Sequence, residues 1–409
     1  MTDRRNVIVL GVDTPIGLTV VRELGAHGLH VHGIGRSPDA IGRASRYCAS
    51  FSMRPEGRAL ADWLPGRIAE TGAGALVAIS EGDLLALAAM PEVVAGCKIL
   101  TPRAGPLGLV LDKSRTLEVA DSLGLSVPES WLPLSGQDHP ARAATLSYPV
   151  VLKWPDPPAV MDRLDALGIP FVKAEFATDA QQLRAILARY APLGVWPLVQ
   201  RYCPGVGLGQ MIHMAGGEPT LLFQHRRLHE WPPEGGTSTL CRAEPLARHR
   251  TQMDKSVALL RAIGWEGPAM VEYRLDEATG TYWLMEVNGR FWGSLPLASH
   301  CGAHFAWELW RRAMQDGPCD PAPPPRAGLQ ARYMVPETRR LLRTLFRPGR
   351  IADPFFRRRP LRDLARYMLG FLDPRSRYYV WSLRDPAPFF SDVGLMLRKA
   401  ARRGMPRQG

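Results

Sequence analysis

Two acidic residues, Glu272 and Glu286, stand inside short apolar runs, Ala269-Met-Val-Glu-Tyr-Arg-Leu275 and Leu284-Met-Glu-Val-Asn288. Such runs form buried strands. A buried strand tolerates a carboxylate only beside a cation, because desolvating the bare charge costs on the order of several kcal/mol. Asn288 follows Glu286 by two positions and shares its face of the strand, and Arg290 follows by two more. Glu272, Glu286 and Asn288 are hard oxygen donors of the kind Mg²⁺ requires, with Mn²⁺ as an alternative. Two acids, an amide and an arginine around such an ion would clamp a transferring phosphoryl group. Either acid alone reads as an ordinary strand residue paired with arginine. Only the full set points to chemistry.

Upstream, Asn6–Leu10 reads as a buried strand, Gly11-Val-Asp-Thr-Pro-Ile-Gly17 as the turn into a helix over Leu18–His27, and His30–Gly35 as the next strand. This is a βαβ opening of Rossmann type. The glycine turn lacks the middle glycine of G-x-G-x-x-G, and Gly35-Arg-Ser37 offers no acid where an NAD site usually places one, while Arg36 leaves an NADP site conceivable. A nicotinamide oxidoreductase therefore fails on the glycine pattern. Thr178-Asp-Ala-Gln181 reads as a capping box opening a helix to about Tyr190.

With Val271-Glu-Tyr273 before it, Glu286-Val-Asn-Gly-Arg290 resembles the metal-binding end of the ATP-grasp enzymes. These are ATP-dependent carboxylate–amine or carboxylate–thiol ligases and carboxylases. The resemblance runs over roughly residues 6–316 and lies nearest the branch of predicted ATP-grasp carboligases. It implies that Lys113, in Leu111-Asp-Lys-Ser-Arg115, and Lys153, closing Pro149-Val-Val-Leu-Lys153, hold nucleotide phosphates. It implies that Leu198–Gly205 is the hinge between two lobes. There, within Gln200, Arg201, Tyr202 and Cys203, the Arg201 carbonyl and the Cys203 amide would read adenine, so that Cys203 is no reactive thiol. It places Arg226 and Arg227 over the substrate and γ-phosphate, with His225 and His229 in support, and gives Arg290 the developing charge. The glycine-rich flap of the family is replaced by Trp154-Pro-Asp-Pro-Pro-Ala-Val-Met161. That departure motivates an alternative, an ATP-binding regulatory or scaffold protein without turnover.

The expected fold class is thus an α/β Rossmann-like domain at 1–110, an α+β two-lobed ATP-grasp domain at 111–317, and a Pro-rich linker with a basic helical extension at 318–409. The expected substrates are a small carboxylate and an amine. Six scattered cysteines without a Cys-x-x-Cys pair suit a reducing cytoplasm. No apolar run of about 18 residues suggests a transmembrane helix. Residues 321–409 hold 20 Lys and Arg against 6 acids, while residues 1–320 are nearly neutral. A basic, aromatic tail of this kind can dock on its own catalytic domain or a protein partner. It can also lie on the inner face of an anionic membrane. No nucleic-acid motif accompanies it, and nucleic acid is the least favoured partner.

Overall fold

The computed structural model describes residues 2–134, 139–155, 157–351 and 353–404. Its strands fall into three sheets in chain order. The first holds β1 (Asp3–Leu10), β2 (His30–Gly35), β3 (Cys48–Met53), β4 (Ala73–Ala78), β5 (Val93–Val94) and β6 (Cys97–Ile99), in the order β3-β2-β1-β4-β6-β5. All its pairings are parallel except β5 with β6. Val7, Ile8 and Val9 are fully buried, as expected of a strand covered on both faces. Thr14 caps the following helix, Pro15–Ala26, by accepting the Gly17 amide, and Pro15 sits in its first turn. Gly17 is needed sterically, since a Cβ there would lie 2.3 Å from the Gly11 carbonyl oxygen.

The second sheet is small and antiparallel: β7 (Ser130–Trp131), β8 (Val150–Lys153), β9 (Glu175–Ala177) and β10 (Leu198–Arg201), ordered β7-β10-β8-β9. It has its own core, in which Val150, Leu152, Leu164, Leu183 and Tyr190 pack together. Asp179, not Thr178, caps the helix Ala180–Tyr190. The Gln182 side chain accepts from the Thr178 amide at 3.1 Å, one residue before the cap, so the cap starts one residue later than its sequence signature and the return bond of a full capping box is displaced from Asp179 to Thr178.

The third sheet is the largest. Its strands are β11 (Val206–Ala215), β12 (Glu218–Trp231), β13 (Thr237–Ala243), β14 (Gly267–Asp276), β15 (Thr281–Asn288), β16 (Gln330–Arg332) and β17 (Ser376–Tyr378). They run β15-β14-β11-β12-β13-β16-β17, antiparallel but for the last pair. Two cores join this sheet to the first one. In one, Val7, Val9 and Leu18 meet Phe223, Trp292 and Phe305; in the other, Ile8 and Leu76 meet Ile212, Leu260 and Tyr273. Each large apolar side chain buried there contributes about 1.5–3 kcal/mol. The last two strands come from the basic tail. The tail is therefore docked, with Ala331 and Tyr379 buried against the sheet and Arg332 2 % exposed.

Candidate active site

The chain leaves the small sheet at Arg201 and enters the large one at Val206. The predicted hinge is thus the crossing between sheets. The Arg201 amide donates to the Glu129 carbonyl and the Tyr202 amide to the Pro149 carbonyl. The Gln200 side chain donates to Ser130 Oγ at 3.0 Å. Burial lifts the Cys203 thiol to about 11, so it stays protonated at neutral pH. Tyr202 lies against Phe355 of the tail, with ring centroids 4.5 Å apart.

Register brings the acids together. Glu272 on β14 stands directly opposite Glu286 on β15. On its other side Glu272 pairs with Gly209, which in turn pairs with His225. Arg227, two residues beyond His225, shares that face and bonds the Glu272 carboxylate. Gly207 makes the crossing feasible, because a Cβ there would come within 2.7 Å of the Arg227 side chain. Glu230 lies 3.7 Å from Arg227 and 4.0 Å from Arg274. His225, fully buried beneath this group and bonded to Ser294, is held neutral: burial and the Arg227 charge push its pKa down to about 3.

Lysines close the other side. Asp112 caps the helix Lys113–Ser122 by accepting the Arg115 amide. From that helix start, Lys113 Nζ lies 3.1 Å from Glu286. The Asn288 amide donates to the second Glu286 oxygen at 2.9 Å. Burial raises the Glu286 carboxyl, but Lys113 and Asn288 outweigh it and bring it to about 2. Glu272 goes the other way, raised by burial despite Arg227 and pushed further by Glu286. Lys153 ends β8, and burial together with the neighbouring Lys113 and Arg274 lowers its pKa. Glu286 and Glu272 oppose that fall.

Not every candidate joins the cluster. Arg226 points to the other face of β12 and pairs in fork geometry with Glu277 at 2.8 and 2.9 Å. Arg290 stands apart from Glu286 and donates to Glu81 at 2.8 Å, linking the end of β15 to the helix that follows β4. His229 bonds Glu337 of the tail. The flap segment contains Asp156, which lies outside the described residues. Glu230 and Arg274 were missed in the sequence, although Arg274 follows Glu272 by two and shares its face. Glu81 was missed because nothing local relates it to Arg290.

Among the described residues no three His, Cys, Asp or Glu side chains form a metal cluster. The available donors are two acids and an amide. They fit Mg²⁺ by donor chemistry, since they supply hard oxygens and two partly buried carboxylates that already recruit Lys113 and Arg227 as cations. A separate cavity of about 780 Å³, lined by Met90, Arg103, His213 and Glu266, shares no residue with the cluster.

Residues 243–311, which carry both acids, Asn288 and Arg290, match the family described as carbamoyl-phosphate synthase L chain, ATP binding domain. Solved structures extend the likeness over most of the chain. An L-amino acid ligase from Bacillus licheniformis superposes with TM-score 0.57 at 16% identity, covering 76% of this chain and 74% of that one. Biotin carboxylase from Campylobacter jejuni, solved as a β,γ-ATP complex, gives TM-score 0.61 at 13% identity over 79% and 74%. N5-carboxyaminoimidazole synthetase from Staphylococcus aureus gives 0.56 at 14% over 78% and 79%. The chain has the ATP-grasp fold. No curated protein matches its sequence. In this fold the crossing at 201–206 joins the small sheet to the large one, and Lys113 and Lys153, from the segments before it, lie near Glu286 on the large sheet.

Proposed function

We propose that this chain is an ATP- and Mg²⁺-dependent ligase. It activates a carboxylate as an acyl phosphate and passes the acyl group to an amine or related nucleophile, releasing ADP and phosphate. One observation carries the reading: Glu272 and Glu286 face each other in register, with Arg227 on the first and Lys113 and Asn288 on the second. A scaffold has no use for that arrangement, and no observation favours the non-catalytic alternative.

Glu272, Glu286 and Asn288 would hold Mg²⁺, whose charge would neutralise phosphate oxygens and polarise the γ-phosphorus. The backbone of 200–203 would receive adenine. Lys153 and Lys113 would hold the phosphates, Lys113 exchanging its Glu286 contact for phosphate oxygens. A substrate carboxylate oxygen attacks the γ-phosphorus in line, and the bond to the β-bridging oxygen breaks to leave ADP. The amine then attacks the acyl carbon, loses a proton and expels phosphate. Arg227 would offset negative charge beside Glu272, and Arg290, with its Glu81 contact, would face the substrate side. Arg226 is assigned no direct role while it pairs with Glu277.

The same reading treats 1–110 as a Rossmann-like unit shaping the substrate side, 111–317 as the ATP-grasp unit, and 318–409 as an extension that braces it. It implies cytoplasmic supply of ATP. No described helix is long and apolar enough to cross a membrane. The test is ADP release on incubation with pooled carboxylates and amines, with mass spectrometry of the product. ATP binding without ADP release across broad pools would reject the ligase reading.

A further inference from the structure

The helix Pro360–Leu369 is built the wrong way round for a helix that serves only as packing. Its polar and aromatic positions face inward. Asp363 pairs with Arg340 at 3.3 Å, and the Tyr367 hydroxyl bonds Thr338 at 2.7 Å. Arg332 donates to the Tyr367 carbonyl at 2.9 Å and lies over the rings of Tyr367 and Phe371. Gly370, which follows, is buried against Arg332. These contacts fix the helix rotation. The face turned outward carries Leu361 (80 % exposed), Leu364 (38 %), Met368 (58 %) and Leu369 (63 %), continued by Leu372 (81 %). They recur at i, i+3, i+7, i+8 and i+11, a single apolar stripe. Arg362 and Arg366 border it and are exposed.

An apolar stripe of this size facing water marks an interaction surface. Its surroundings say which kind. Residues 339–377 contain twelve arginines, three aspartates, no lysine and no glutamate. A second copy of the chain would set the same positive field against itself. Nucleic acid would use the arginines and leave the leucines in water. A surface that is anionic on top and apolar just beneath uses both.

We propose that the helix Pro360–Leu369 docks this chain onto an anionic phospholipid surface. Leu361, Leu364, Met368, Leu369 and Leu372 enter the boundary of the acyl layer, and Arg362 and Arg366 meet the lipid phosphates. The helix lies flat, about 15 Å long at 1.5 Å per residue, and does not span. Arg340, Thr338 and Arg332 tie it to β16 and the helix Met334–Phe346, so the catalytic sheet is held at the membrane with it.

The test is sedimentation of the full chain with phosphatidylcholine vesicles, with and without about one third phosphatidylglycerol, at low and at about 0.5 M salt. Binding is expected only to the anionic vesicles, and to weaken as salt screens it. Arg362→Ser with Arg366→Ser should lower the partition coefficient roughly 30-fold, at about fivefold per arginine. Leu361→Ser with Leu369→Ser should lower it at least tenfold. Both pairs are exposed, so melting temperatures should not move. Absence of binding to anionic vesicles at low salt overturns the inference, and a protein ligand for this face would be one cause. Equal binding to neutral vesicles, or full binding by the leucine pair, overturns it too. The outcome is independent of the ligase reading, since a chain without turnover could still bind vesicles.

Discussion

Lys113 Nζ and Glu286 form an ion pair at 3.1 Å, between the first turn of one helix and the end of a strand far along the chain. Lys113 is about half exposed and Glu286 one third. The pair therefore adds little to stability, well under what a buried pair would contribute. Its place matters more, because under the proposed ligase reading both partners would take a second task when ATP and Mg²⁺ bind. Glu286→Gln should leave the fold and melting temperature intact and reduce ADP release at least about 100-fold, by analogy with lost metal or transition-state contacts. Near-normal turnover in that variant would sink the assignment of Glu286 as a ligand.

Lys153 poses the complementary question. It ends a strand of the small sheet, with Lys113 and Arg274 close enough to depress its pKa. A cation held beside other cations is poised for an anion. Lys153→Ala should weaken ATP binding by roughly 10- to 100-fold, the worth of one or two charge-assisted hydrogen bonds. Its circular dichroism should be unchanged. Unaltered ATP affinity with a collapsed melting temperature would make Lys153 a structural partner of the acids.

Neighbouring arginines should behave oppositely. Arg227 is buried on Glu272, whereas Arg226 pairs with Glu277 at the surface, where Glu277 is half exposed. Arg227→Ala strands a buried carboxylate and should cost about 3–5 kcal/mol. Arg226→Ala should cost about 1 kcal/mol or less and leave ADP release near normal. Chemical denaturation and turnover on both variants decide the matter, and equal losses would refute it.

Glu23 supplies a pH signature far from the site. It is 3 % exposed on the helix Pro15–Ala26 and accepts the Ala306 amide at 2.8 Å. Burial pushes its carboxyl up to about 8, from 4.5. The folded state then holds a proton that the unfolded chain has already lost. Stability should therefore fall as pH rises from about 4.5 to 8, with a slope from this group approaching 1.4 kcal/mol per pH unit. Glu23→Gln, which cannot ionise, should flatten that part of the profile and be the more stable protein at pH 8. Parallel melting curves for the two proteins across this range would refute the account.

That the acids, Asn288 and the two lysines would lie together was legible because strand alternation and short motifs are local signals. Register is not local. Arg226 and Arg227 look equivalent in the sequence, and only the pairing of His225 with Gly209 and of Gly209 with Glu272 decides which one turns toward the acids. Gly207 and Gly209 were the available hints, small residues opposite a long one. The tail was harder to read. Gln330-Ala-Arg332 is a three-residue strand with polar ends, a pattern indistinguishable from loop. Arg332 is buried only because Tyr367 and Phe371 exist to receive it. The basic excess marked an extension that could dock on its own catalytic domain but not where, because the ion pairs that seat it join residues far apart in the chain, such as Arg343 with Glu234 and Asp385 with Arg22.

Removing that tail should accordingly unfold the protein. A chain ending at Asp320 loses β16 and β17 from the edge of the large sheet and exposes the edge of β13. It loses Glu337, which is 2 % exposed and bonds His229 and Thr239. It also loses Tyr379, buried against Cys241 at 3.2 Å. The His229 and Thr239 side chains would be left without their acceptor, at about 1–3 kcal/mol each, beyond the apolar area uncovered. Together these losses reach the size of a typical domain's whole stability of about 5–15 kcal/mol. The truncated chain should be insoluble, or soluble with no cooperative melt. The single change Glu337→Ala should fold and melt several degrees lower. A truncated chain that melts cooperatively near the full-length temperature and releases ADP at the full-length rate would show that the tail is only an appendage.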